Sequence, residues 1–160
     1  MIPRIATAGD VAELVRVINL AYRVEDFFID GNRTDADDIA ARIDVPGACF
    51  IVLDSTDDKS LAAAVWLEIH DERGHFALLS VDPAQQGRGL ARILVNAVEE
   101  HCRNAGCTDL DLEVVDLRLE LPAFYSKLGF VTTGTAPFPD TSKLRRDAHL
   151  ILMTKSLSSY

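Results

Sequence analysis

The stretch Val81-Asp82-Pro83-Ala84-Gln85-Gln86-Gly87-Arg88-Gly89-Leu90-Ala91-Arg92 constrains the fold more than any other part of the chain. It follows an apolar run over residues 75–81 that reads as a strand, and it opens a long amphipathic segment over 90–105. A strand that passes through a glycine-punctuated loop into a helix leaves several backbone N–H groups without acceptors, aimed at one point. The helix dipole adds partial positive charge there, so the junction suits a phosphate or pyrophosphate. Gly87 and Gly89 permit positive φ and let a ligand approach the main chain, and Ala91 keeps that approach open. The alternative is an ordinary connection that happens to be glycine-rich.

Known phosphate loops narrow the choice. A Walker loop requires Gly, four residues, Gly, Lys and Ser or Thr, and the chain contains no such run. A dinucleotide fingerprint requires a third Gly or an Ala three places after the second, where this chain has Arg92. What fits is Gln-x-x-Gly-x-Ala over residues 86–91, directly after Val-Asp-Pro. This resembles the acyl-CoA pyrophosphate loop of the GNAT family of N-acetyltransferases. A second segment, Leu121-Pro122-Ala123-Phe124-Tyr125-Ser126-Lys127-Leu128-Gly129-Phe130, is similar to that family's short helix ending in Phe-Tyr-x-Lys-Leu-Gly-Phe. Its residues make sense on their own. Pro122 suits a first helical turn, Phe124 and Leu128 share one face, and Gly129 suits the left-handed position past the helix end.

The resemblance implies a fold and a chemistry. The fold would be α/β (α+β): a mixed central sheet of about six or seven strands flanked by about four helices, the acyl-CoA N-acyltransferase fold. Acetyl-CoA would donate its acetyl group directly to an amine, with no metal. The strands ending at Val81 and near Val115 would splay apart, and the pantetheine arm would pair with backbone around Leu79, Ser80 and Val81. Amides of Gln86, Gly87, Arg88, Gly89, Leu90, Ala91 and Arg92 would hold the pyrophosphate, and Lys127 would meet a cofactor phosphate or stay solvated. By the same resemblance Tyr125 stands near the sulfur and protonates the departing thiolate. One departure matters. Many members have Asn seven places before the tyrosine and Ala four before it, where this chain has Arg118 and Leu121. The contact to the cofactor arm then falls to Asp116 or to backbone.

The attacking amine must be neutral, so a general base is needed. Glu113, on the polar side of an alternating strand over 109–115, is the first choice, with Glu68, His75 and His149 or a water chain as alternatives. Acceptor contacts are expected from residues 22–34 and from a long loop over 134–147, with Phe27, Phe28, Arg33, Phe138 and Arg146 as candidates.

Order along the chain agrees with the family. Residues 2–6 read as a strand, and Asp10 with Glu13 as the start of a helix bearing Val11, Leu14, Val15, Ile18 and Ala21 inward. A short helix follows Thr34 and carries Ile39 and Ile43. Strands over 49–53, 61–69 and 75–81 suggest an antiparallel meander, with a polar turn over 54–60. In the main helix Leu90, Ile93, Leu94, Ala97, Val98, Cys102 and Ala105 form the apolar side, and Gly106 ends it. Strands over 130–133 and 149–153 close the order β-α-α-β-β-β-α-β-α-β-β.

Bulk properties bound the rest. A chain of 160 residues, 48% hydrophobic and 26% charged, predicts one soluble domain over 1–160. The longest apolar run, 61–67, is too short for a bilayer, and the first residues lack a signal peptide's apolar stretch, so a cytoplasmic address is expected. Cys49, Cys102 and Cys107 are odd in number and lack metal spacing. The sequon Asn32-Arg33-Thr34 carries no weight without a secretory route. A formal charge of −9 disfavours nucleic acid and anionic membrane and is compatible with a cationic amine. The expected partner is a small-molecule or peptide amine, met by a monomer or homodimer. The other function class is a catalytically silent acyl-CoA-binding sensor or interaction module.

Overall fold

The run Leu61-Ala62-Ala63-Ala64-Val65-Trp66-Leu67 is buried from end to end. A strand covered on both faces needs such a sequence, because neither set of alternating side chains meets water. The computed structural model describes residues 1–56 and 59–157, so residues 57 and 58 of the expected polar turn lie outside the described residues. The chain runs β1 (Arg4–Ile5), α1 (Val11–Tyr22), α2 (Ala36–Ile43), β2 (Ala48–Asp54), β3 (Leu61–His70), β4 (Arg73–Val81), α3 (Leu90–Asn104), β5 (Asp109–Val115), α4 (Leu121–Lys127), β6 (Val131–Pro137) and β7 (His149–Ser156). These strands form one sheet in the order β1-β2-β3-β4-β5-β7-β6. Among the described residues, only β4 and β5 pair in parallel. That is the mixed sheet and helix order the sequence led us to expect.

The period-2 pattern of the strands divides the core into two layers. Phe50, Val52, Ala64 and Trp66 pack under α1 and α2, against Leu14, Val17, Ile18 and Ile39. Ile51, Leu53, Val65, Leu67 and Phe76 face the other way, where Leu90, Leu94, Val95, Val98 and Cys102 of α3 cover them. Tyr125 and Phe130 continue this second layer under β4 and β5. The side chain of Asp35 caps α2 by accepting from the Asp38 amide at 2.8 Å.

Several boundaries differ from expectation, each for a local reason. The first strand is shorter than 2–6, because Pro3 has no N–H to donate and Ile2 is 87% exposed. The first helix does not start on an Asp10–Glu13 box. Asp10 reaches back to the Thr7 amide at 2.8 Å, while Glu13 accepts from the Leu61 amide and pairs with Arg16, tying α1 to β3. Residues 134–137 are strand rather than connection, so the loop to β7 is shorter than 134–147. The threonines of β6, at 132, 133 and 135, suit an edge strand, and Pro137 stands at its last position, where a missing donor costs little. On α3 the buried stripe is wider than expected: Val95 and Glu99 are inside, whereas Ala105 is exposed.

Candidate active site

The expected loop has the geometry its glycines suggested. Asp82 Oδ1 and the Asp82 carbonyl accept from the amides of Ala84 and Gln85, making a tight turn after β4. From Gln86 to Arg92, no main-chain amide finds an acceptor among the described residues; the first bond of the helix is Ile93 N–H to the Gly89 carbonyl. Gly87 has φ 83° and Gly89, which opens α3, has φ 71°. A Cβ at either would meet no heavy atom within 4 Å. These glycines therefore serve backbone conformation and leave open space above the free amides.

Beside this loop the sheet opens. The β4–β5 pairing covers Arg73–His75 against Asp109–Asp111, although β4 runs on to Val81 and β5 to Val115. The cause lies in β4. Leu78 takes φ 59°, and the register with β3 shifts between Ala64 and Trp66, so one extra residue is accommodated opposite Val65. A leucine in the left-handed region is strained, and its burial beneath α1 and α2 holds it there. The bulge turns Leu79, Ser80 and Val81 away from β5. Among the described residues, that edge carries main-chain groups with no strand neighbour. The Ser80 hydroxyl is buried and donates to the Leu78 carbonyl at 2.8 Å, so only backbone at this position can serve a ligand.

Tyr125 lies where the splay begins. Its ring meets Phe76 of β4 at 5.9 Å, Phe130 at 5.8 Å and Phe124 at 5.0 Å, all edge-on. It is 5% exposed, and its hydroxyl has no hydrogen-bond partner among the described residues. Burial pushes the phenol well above its ordinary value; Tyr22 raises it further and Arg118 lowers it. The group is thus a neutral proton donor across the physiological range. Lys127, at the end of α4, is exposed, as are Arg88 and Arg92.

Glu113 is not a lone carboxylate. It projects on the polar face of β5 and hydrogen-bonds His75 Nε2 of β4, one strand over. That bond raises the His75 pKa above its usual 6.5, against the opposing effect of burial. A raised histidine stabilises the fold fully below its unfolded value, and the contribution fades as pH rises through the folded one. The wild type should therefore exceed Glu113→Gln in melting temperature most at about pH 6 and progressively less above it. A gap that is flat or widens with pH in thermal melts from about pH 5.5 to 8.5 would remove this linkage. The alternatives are also engaged. Glu68 accepts from Trp66 Nε1 at 3.0 Å and pairs with His70, and His149 pairs with Asp116 at 3.1 Å.

The two segments expected to form the acceptor side do meet. Ile29 and Leu144 form a bridge, the Asp30 amide donates to the Lys143 carbonyl at 2.9 Å, and the Arg145 amide donates to the Phe28 carbonyl at 2.7 Å. Phe28, however, is fully buried, edge-on to Phe27 at 4.9 Å. It packs the base of this segment and is corrected from an acceptor contact to a core residue. Arg33 is exposed and stacks over the Tyr22 ring at 5.4 Å, Arg146 stands over Phe27 at 5.5 Å, and Phe138 is half-buried. One pair escaped the sequence reading. Glu25, in the turn after α1, accepts from Arg118 Nη1 at 3.0 Å, and the two side chains are 13% and 16% exposed. Arg118 was visible only as a departure from the asparagine pattern, and Glu25 gave no signal.

Comparison with known proteins gives a family and a fold. The model of the acetyltransferase (GNAT) family matches residues 15–130. Mycothiol acetyltransferase of Gordonia bronchialis is 32% identical over 130 residues, covering 78% of this chain and 41% of that protein. The chain thus spans less than half the length of this relative. Among solved structures, yncA from Salmonella typhimurium with its cofactor acetyl-CoA superposes with a TM-score of 0.77 at 19% identity, over 99% of this chain and 95% of that one. The ribosomal-protein-S18-alanine N-acetyltransferase from Escherichia coli gives the same TM-score, identity and coverage.

Proposed function

The chain belongs to the GNAT family of acetyltransferases, and on that premise we propose that it is an enzyme that moves an acetyl group from acetyl-CoA to a primary amine of a small molecule or peptide. The observation that carries this reading is the run of acceptor-free amides from Gln86 to Arg92 beside the unpaired edge of β4. Acetyl-CoA supplies a thioester whose carbonyl carbon exchanges its C–S bond for a C–N bond to the acceptor. On this reading Leu79, Ser80 and Val81 offer main-chain groups to the pantetheine arm. Amides from Gln86 to Arg92 take the diphosphate, helped by the α3 dipole and by the exposed Arg88 and Arg92. Lys127, exposed at the end of α4, is assigned to a further phosphate of the cofactor.

Two proton movements are left to the protein. Tyr125, held neutral by burial, donates to the departing sulfur, where negative charge grows in a poorly hydrated cleft. Glu113, hydrogen-bonded to His75, is the base that leaves the amine neutral. Arg33 and Phe138 border the acceptor side. We assign the whole chain, 1–160, to one such domain acting as a monomer or homodimer in the cytoplasm. Its three free thiols suit that reducing compartment.

Isothermal calorimetry with acetyl-CoA tests the carrying observation. Saturable binding, together with a rise in melting temperature of the loaded protein, is expected. No heat and no thermal shift at saturating acetyl-CoA would overturn the reading. Release of free thiol across a panel of amines then separates an enzyme from a silent acyl-CoA-binding module.

A further inference from the structure

Arg118 carries more hydrogen-bonding capacity than the protein uses. Its Nε donates to Glu120 at 3.2 Å and its Nη1 to Glu25 at 3.0 Å, whereas Nη2 has no acceptor among the described residues. Both partners of the Glu25–Arg118 pair come from connections, the turn after α1 and the β5–α4 segment, and 93 residues separate them. Neither belongs to the apolar core, so the pair is not needed to fill it. Its position is informative. Arg118 closely follows β5, its amide donating to the Val115 carbonyl at 3.1 Å, and its own carbonyl accepts from the Leu121 amide that opens α4, the helix bearing Tyr125; Glu25 lies in the turn that follows Tyr22, whose ring lies under Arg33. The pair therefore stands at the end of β5 that has parted from β4, beside the segment proposed to border the acceptor.

An ion pair in a poorly solvated place selects for its electrostatic mirror image. A simple cationic amine approaching Glu25 would meet the Arg118 guanidinium beside it and face like-charge repulsion. A group carrying both signs meets no such penalty, since its ammonium can face Glu25 while its carboxylate faces the free Nη2 edge. The geometry points to an acceptor amine that bears its own carboxylate, an amino acid rather than a polyamine or a plain amine. Burial raises the Glu25 pKa even against the opposing effect of Arg118, so this carboxylate is under-compensated and an ammonium supplies what it lacks. The chain's overall charge of −9 suggested a cation; the local arrangement argues for a zwitterion instead.

This inference rests on the acetyl-transfer reading, and the test separates the two. Thiol release is measured at saturating acetyl-CoA with matched acceptors: α-amino acids, ω-amino acids, the methyl esters of each, and the corresponding decarboxylated amines. The free acids are expected to exceed their esters about tenfold or more in kcat/KM, and the α and ω series distinguish the two sources of a carboxylated amine. Arg118→Met should erase the acid-to-ester ratio. A ratio is chosen because any change in acetyl-CoA affinity moves both members equally. Arg33→Met, at an exposed position, gives a second reading should the first variant fold poorly, and it should reduce the ratio without erasing it. Esters or plain amines turned over as well as the acids, or an acid preference that survives Arg118→Met, would overturn the inference and leave acetyl transfer standing. No release from any acceptor would remove acetyl transfer itself, and the inference with it.

Discussion

Tyr125→Phe is expected to lower kcat by about 10²- to 10⁴-fold, the range of a lost general acid, with acetyl-CoA affinity unchanged within about twofold. The substitution is unusually clean here. The ring is fixed by Phe76, Phe124 and Phe130, and all three edge-on contacts are made by carbon atoms that phenylalanine keeps. The hydroxyl has no hydrogen-bond partner among the described residues, so its removal leaves no orphaned donor or acceptor behind. Stability should therefore hold or rise slightly while turnover collapses, as expected for a group retained for chemistry at some cost to the fold. Steady-state kinetics with free-thiol detection, paired with thermal melts, checks both halves. An unchanged kcat would take Tyr125 out of the mechanism. A large loss of melting temperature would mean that the hydroxyl holds the fold.

How far the sequence alone reached depended on the range of the interactions involved. The junction from β4 to α3 was legible because its determinants are local: glycines at positive φ, proline after aspartate and an apolar stripe at helical spacing all lie within a few residues. The fully apolar run of β3 was legible for the same reason. The splay at the candidate site was expected from resemblance, yet its cause was not visible. Leu78 carries no local preference for positive φ; packing beneath α1 and α2 overrides its propensity. Phe27 and Phe28 look alike in sequence, and only the bridge to the Leu144 segment decides that Phe28 is buried while Phe27 is 45% exposed. The end of β6 reads as a connection in sequence because the stretch is rich in Pro and Thr, whereas an edge strand tolerates both. The Glu25–Arg118 pair joins segments too distant in sequence for any periodic pattern to connect.

The same range effect hid the buried Glu99, and it yields the largest expected change in stability. Glu99 is 7% exposed on α3 and receives the Lys155 ammonium of β7 at 2.9 Å; Arg103 stands farther off at 3.5 Å and is half exposed. Lys155 also donates to the Leu128 carbonyl at 2.8 Å, closing the C-terminal end of α4, and its stem packs so tightly that a Cβ on Gly129 would approach Lys155 Cε at 3.0 Å. Replacing Lys155 by methionine keeps most of this packing but leaves a buried carboxylate without its main counter-charge. Loss of one partner from such a pair typically costs about 3–5 kcal/mol, and the remaining Arg103 contact places the expected value near the lower end, about 3 kcal/mol. Adding Glu99→Leu should restore most of the loss, since an apolar replacement of both charges removes the desolvation cost together with the attraction. Urea unfolding of the single and double variants at neutral pH decides the matter. If the single variant loses less than about 1 kcal/mol, the ion pair is peripheral. If the double variant is as unstable as the single, the energy resides in the Leu128 carbonyl contact instead. Because that contact anchors the helix bearing Tyr125, the single variant should also lose turnover beyond its loss of folded protein, and the double variant should recover stability ahead of activity.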